Sequence, residues 1–315
     1  MILVAGSANL DFVVRASHIP APGETVLGRE FKTYPGGKGA NQAVACARAG
    51  GAPTQMLLAL GDDLYARPLE ESLLGANVKL HIVRDKTQAT GTAFICVSDD
   101  AENAITVAPG ANAVLREGHL PSLEGVTHLL MQLETPIESV TAYAQAARAK
   151  GVAVVLNAAP AQSLPAGLLK NIDVLIVNEG ELAAIAHNSA HDKSSIAQSL
   201  AELDVPCVVV TLGHHGCCAR IDGQVLFQPA FDVTPVDTTG AGDTFCGALV
   251  AALQHKQSWP QALAAASAAG AMACTRPGAQ SSIPSHAEVQ VLVAKTTAVA
   301  EDKLSALRTF CGFAA

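Results

Sequence analysis

Short, nearly uninterrupted apolar runs recur along the chain: ILVAG (2–6), THLLMQ (127–132), VAVVLN (152–157), VLIVN (174–178) and CVVVTLG (207–213). Between them, 3.6-residue periodicity predicts helices over Lys38–Ala49, Pro136–Lys150, Glu179–His187 and Ile196–Leu203. Strands that lack polar alternation are covered on both faces, and helices between them supply the crossovers of a parallel sheet. The expected class is therefore α/β, with a mostly parallel central sheet and helices on both faces. In such sheets ligands bind beyond the carboxyl ends of the strands. Polar residues gather at those ends here: Asn9, Asp11, Glu134, Asn178, Thr211 and Gly213.

Two regions break this rhythm. Residues 11–35 hold DFVVRAS, ETVLG and REFKTY, and residues 90–107 hold TGTAFICVS and ENAITV, with Gly and Pro punctuation in the first and Asp99–Asp100 in the second. Both read as hairpin strands, and together they predict a small β-sheet lid inserted into a single catalytic domain spanning 1–315. The Ala-rich run 262–273 predicts a packed helix, and the pattern stays helical after about residue 286. Residues 297–315 form a C-terminal extension whose last twenty positions carry no motif with a readable role.

Half of the 315 residues are hydrophobic, which is enough for a large core. The formal charge is −8 and there is no Lys/Arg block, so a general nucleic-acid surface is excluded. The opening MILVAGSA lacks a basic start and breaks at Asn9, too short for a bilayer span, and no later run reaches about 18 apolar residues. None of the eight cysteines forms a C-x-x-C pair or a zinc spacing, which predicts reduced, buried thiols in a cytosolic protein.

Five short motifs carry candidate chemistry. Gly36–Asn41, GGKGAN, is not a phosphate-binding P-loop, because Ser or Thr does not follow Lys38. It is either a glycine turn opening a helix or a close backbone approach to a ligand, with Lys38 and Asn41 as donors. Asn9-x-Asp11 is a turn, or a pair of same-side groups gripping adjacent hydroxyls. Asn178-x-x-Glu181 is a helix capping box, or an acidic group orienting hydrated Mg²⁺. Thr211-Leu212-Gly213-x-x-Gly216 is a β-turn, or a loop along a nucleotide. DTTGAGDTF (237–245) sets Asp243 in a glycine turn at a helix start, either as a capping carboxylate or as a base beside an anion-binding turn. A nicotinamide dehydrogenase is excluded, because no G-x-G-x-x-G follows the first strand.

The segments GGKGANQAVACARAG and DTTGAGDTFCGAL, together with Asn9-x-Asp11, PAPGETV and MQLE, resemble the PfkB-type carbohydrate kinase family, in particular its ribokinase branch. The likeness runs from residue 2 to about 290. It implies a ribokinase-like three-layer fold and ATP-dependent phosphorylation of a sugar hydroxyl, with ribose as the first candidate acceptor. Deoxyribose, a hexose, a nucleoside, or a sensing role without catalysis are the alternatives. It further implies that Asn9, Asp11, Gly37, Lys38, Asn41 and Glu134 hold the sugar, with Asp243 as base on the acceptor hydroxyl. Gly240, Ala241 and Gly242 would offer N–H groups to the moving phosphoryl charge. Thr211, Gly213 and Gly216 would flank ATP, with Asn178, Gly242 and Ser267 bordering it; Ser267 stands where relatives often have an adenine-facing His. Asn178 and Glu181 would orient Mg²⁺ through water. Oxygens of Asp237, Thr239, Ala273, Arg276, Gly278 and Ser282, mostly main-chain, would hold an activating monovalent cation, K⁺. The lid would also serve as the clasp of a homodimer.

Overall fold

The computed structural model describes residues 1–100, 102–186, 196–295 and 301–313. His187, the expected end of one helix, and residues 297–300 and 314–315 of the expected extension lie outside the described residues. In chain order the strands are β1 (Ile2–Ala5), β2 (Asn9–Arg15), β3 (Glu30–Gly36), β4 (Thr54–Gly61), β5 (Lys79–Asp85), β6 (Gly91–Val97), β7 (Asn103–Ala108), β8 (His128–Met131), β9 (Ala153–Asn157), β10 (Val174–Asn178), β11 (Cys207–Thr211), β12 (Gly216–Ile221) and β13 (Gln224–Pro229). The helices are α1 (Lys38–Arg48), α2 (Ala66–Gly75), α3 (Ile137–Ala149), α4 (Ala166–Leu169), α5 (Glu179–Ile185), α6 (Ile196–Glu202), α7 (Ala241–Gln254), α8 (Trp259–Ala273), α9 (His286–Lys295) and α10 (Glu301–Phe310).

The central sheet has nine strands in the order β13-β12-β11-β10-β9-β8-β1-β4-β5. All pairings from β11 to β5 are parallel, while β12 and β13 run antiparallel at one edge. Alternate residues of each strand feed two separate cores. Ile2, Val4, Met56 and Ile176 join one core with side chains of α1, α2, α7, α8 and α9. Leu3, Ala5, Leu57 and Leu175 join the other with α3 to α6 and α10. This is the expected three-layer arrangement, and it explains why the strands read as continuous apolar runs.

A second sheet of four strands, ordered β3-β2-β6-β7, is the small β-sheet expected from residues 11–35 and 90–107, termed the lid sheet. It meets the central sheet where β1 passes into β2 through Ser7 and Ala8, both fully buried. The cysteines are all unpaired as disulfides, five of them buried. Among the described residues no helix is long and apolar enough to cross a membrane.

The described part of the C-terminal extension is an integral element. Leu307 and Cys311 are buried in the second core, and α10 lies against β13.

Candidate functional site

Asn9 and Asp11 sit two apart at the start of β2, so their side chains emerge on the same side of the lid sheet. Both are buried. Asn112 donates its Nδ2 to Asn9 Oδ1 at 2.7 Å and accepts the Ala8 N–H at 3.0 Å, which fixes where the lid leaves the core. Gly37 precedes α1 with φ of 88°, and a Cβ there would lie 2.7 Å from Asn9 N. The glycine at 37 is thus required by close packing of the GGKGAN main chain against Ala8 and Asn9 of the chain itself. Glu134 Oε2 accepts the Ser7 hydroxyl at 2.5 Å and the Lys38 N–H at 3.0 Å, tying the end of β8 to the start of α1.

Asp243 occupies the first turn of α7, after Gly240 in a left-handed conformation (φ 73°). Its carboxylate does not cap its own helix. Oδ2 accepts Asn41 Nδ2 and Oδ1 accepts Gln42 Nε2, each at 2.9 Å. Gln42 is fully buried and is itself held: Gln132 Nε2 donates to Gln42 Oε1 at 2.6 Å, and Gln42 Nε2 also reaches Asn157 Oδ1 at 2.9 Å. Asp243 thus makes no capping hydrogen bond, while its place in the first turn of α7 still suits a negative charge at the helix N-terminus. Ala241 N–H is turned to Thr238 O, whereas the N–H groups of Gly240 and Gly242 find no protein acceptor among the described residues. Two of the three expected anion donors thus remain available.

Electrostatics places these groups in one neighbourhood. Burial, reinforced by Glu134 and Asp243, pushes the Asp11 carboxyl up to about 7. Burial draws the Lys38 ammonium down, but Asp243, Glu134 and Glu181 together outweigh it, and the net shift is upward. Burial raises Glu181, opposed by its hydrogen bond from the Asn178 N–H and by Lys38. Asp11 has a testable consequence. The folded chain retains a proton on Asp11 that the unfolded chain releases above pH 3.8. Its contribution to stability is complete below pH 3.8 and is lost as pH climbs through about 7. Urea midpoints of wild type, compared with Asp11→Asn, are expected to fall relative to the variant between pH 5 and pH 8; parallel pH profiles would contradict the buried, proton-retaining carboxyl.

Asn178 and Glu181 form a reciprocal capping box at the start of α5: Asn178 Oδ1 accepts Glu181 N–H at 2.8 Å, and Glu181 Oε2 accepts Asn178 N–H at 2.9 Å. The structural reading of this pair thus holds. It leaves Glu181 Oε1 without a protein donor among the described residues, which fits a water-mediated role toward Mg²⁺, an ion that needs few protein carboxylates. Thr211 ends β11, its hydroxyl on Val177 O, and Leu212 N–H bonds Gly216 O to close the glycine turn. Ser267 is buried on α8, which packs against β12.

Asp237 accepts Thr239 N–H at 2.9 Å and Gly278 N–H at 2.8 Å. This carboxylate therefore joins the two loops that carry the expected cation ligands. Ala273 O accepts Arg276 N–H, Ser282 Oγ donates to Ala279 O, and the Arg276 guanidinium pairs with Glu288.

Sequence reasoning missed Ser7, Gln42, Asn112, Gln132 and Asn157. The signal was present for three of them. Gln42 follows Asn41 within the quoted glycine motif, and Gln132 and Asn157 are polar residues closing apolar strands.

Comparison with known proteins agrees with this geometry. The family described as pfkB family carbohydrate kinase matches residues 1–286. The Haemophilus influenzae ribokinase is 38% identical over 295 residues, covering 91% of this chain and 96% of that protein. The Bacillus subtilis ribokinase is 35% identical, covering 93% and 99%. Among solved structures, Arabidopsis thaliana ribokinase complexed with ribose and ATP superposes with a TM-score of 0.84 at 32% identity, covering 93% and 98%. With its two signature segments meeting at Asp243 and a family match over residues 1–286, the chain belongs to the pfkB family of carbohydrate kinases.

Proposed function

We propose that this protein transfers the γ-phosphoryl group of ATP to the primary hydroxyl of D-ribose, giving ribose 5-phosphate. The observation that carries this reading is the Asp243 carboxylate, held by Asn41 and Gln42 beside the available N–H groups of Gly240 and Gly242. The names of the relatives, and the ribose and ATP of the Arabidopsis complex, support the choice of substrates.

Phosphoryl transfer depends chiefly on positioning and electrostatic stabilisation. Asn9, Asp11, Lys38 and Glu134 grip the hydroxyls of the sugar and aim its terminal alcohol at the α7 turn. Asp243 accepts the alcohol proton as the oxygen attacks phosphorus. The Gly240 and Gly242 N–H groups present fixed donors to the charge on the equatorial oxygens, worth roughly 3 kcal/mol of barrier per donor. Asn178 and Glu181 would hold hydrated Mg²⁺, which supplies charge neutralisation on the phosphates when bound. Oxygens of Asp237, Thr239, Ala273, Arg276, Gly278 and Ser282 would hold K⁺, which supplies a positive field beside the anion turn. Closure of the lid over the sugar excludes water. Phe31, Phe94 and Ile105 stand exposed on that lid and favour its use as a homodimer clasp.

Two measurements test the reading. In a coupled assay of ATP consumption across pentoses, hexoses and nucleosides, D-ribose is expected to give the highest kcat/KM, and a higher value for a hexose or nucleoside overturns the substrate assignment. In desalted buffers K⁺ is expected to activate more than Na⁺; equal rates with both would remove the cation site from the account.

A further inference from the structure

The end of the chain packs against the back of the loop assigned above to ATP. Phe310 stacks on His215 with ring centroids 4.1 Å apart and planes 30° apart, and His215 in turn lies 4.0 Å from the His214 ring. Both histidines belong to the turn between Gly213 and Gly216, which have φ of 54° and 111°. The same end of α10 is anchored from several sides. Cys311 is fully buried beside Cys218 of β12, and its carbonyl accepts the Ala197 N–H at the start of α6, at 2.9 Å. Phe313 meets Phe227 of β13 edge-on at 5.3 Å, Arg308 lies over the same ring, and Lys303 pairs with Asp232. The α10 side of each of these contacts lies beyond residue 286, where the family match ends, and the other side lies within it.

We propose that α10 positions the nucleotide loop, with Phe310 acting through His215 to hold residues 213–216 in the conformation that receives ATP. The inference rests on the reading of that loop as ATP-flanking. A turn with two left-handed glycines is costly to order, because glycine loses more backbone freedom than any other residue. The stack supplies that order before ATP arrives, so less binding free energy goes into fixing the loop. Phe310 touches neither substrate nor reacting atoms; it is a positioning residue. It is also 42% exposed, so its removal leaves both cores intact.

The test is steady-state kinetics of the full-length Phe310→Ala and Phe310→Tyr proteins, with calorimetric titration of a non-hydrolysable ATP analogue. Phe310→Ala is expected to raise the KM for ATP and the analogue Kd by about three- to tenfold, the size of one aromatic pair. The KM for sugar and kcat at saturating ATP should stay at wild-type values, and Phe310→Tyr should restore ATP affinity. An unchanged ATP KM in Phe310→Ala overturns the proposal. So does a rise in sugar KM or a fall in kcat of the same size, since that marks general loosening. A wild-type protein that binds no nucleotide overturns the loop assignment and this inference together.

Discussion

Asp243→Asn is expected to lower turnover by about 10²–10⁴-fold, the usual contribution of a positioned general base. The substitution removes the proton acceptor while keeping the shape of the side chain. The structure also shows why the fold should tolerate it. In the wild type both carboxylate oxygens accept amide donors, Asn41 Nδ2 and Gln42 Nε2. An amide at 243 turns one of those oxygens into a donor. Asn41 carries a buried Oδ1 with no partner, so rotating its amide group by half a turn lets it accept from the new Asn. Gln42 keeps its bond to the remaining oxygen. Sugar dissociation constants measured by calorimetry should therefore stay within a few-fold of wild type, while kcat falls. A folded Asp243→Asn protein with near-normal kcat removes Asp243 from the chemistry.

Gly240→Ala is expected to lower kcat by about 10²–10³-fold, the cost of losing a preorganised oxyanion donor. Two effects combine. Gly240 has φ of 73°, where a side chain costs roughly 1–2 kcal/mol. An added Cβ would also lie 3.1 Å from Ala279 Cα and 3.3 Å from its Cβ. Ala279 cannot retreat easily: it is buried, and its neighbour Gly278 is bonded to Asp237. The turn must shift instead, and the Gly240 and Gly242 N–H groups lose their aim. Stopped-flow or steady-state kcat, with sugar KM as the internal control, distinguishes this from general destabilisation. A Gly240→Ala rate within threefold of wild type would show that the turn contributes little to the barrier.

The parallel core was legible because its strands are buried on both faces and read as uninterrupted apolar runs. The strand β4, TQMLLALG, has the same character and every residue of it is buried, yet no flanking polar motif drew attention to it. The edge strands β5 and β13, and β12 beside β13, were harder. Their burial is mixed or their residues small, as in KLHIVRD and GCCARI. The one local signal was Asp222-Gly223, both at positive φ, the pair that a two-residue hairpin turn demands. Candidate site residues such as Asn9, Asp11 and Glu134 stood out as polar side chains near the ends of apolar strands, but Gln132 and Asn157 carry the same signal and were passed over. What sequence could not give was their wiring. That Asn41 and Gln42, neighbours on α1, both turn to Asp243 two hundred residues later depends on how closely α1 and α7 pack. The tail was opaque for a related reason: Phe310 has no motif, and its meaning comes only from the His215 ring beneath it.

The central claim is that a sugar alcohol and a γ-phosphoryl group meet between Asp243 and the amides of the α7 turn. A crystal structure of the protein with D-ribose and a non-hydrolysable ATP analogue tests it most directly. The expected result is the primary hydroxyl within about 2.6–3.2 Å of an Asp243 carboxylate oxygen, with the terminal phosphate facing the Gly242 N–H. A ribose whose primary hydroxyl points away from Asp243, or a terminal phosphate bound away from the turn, would contradict the account.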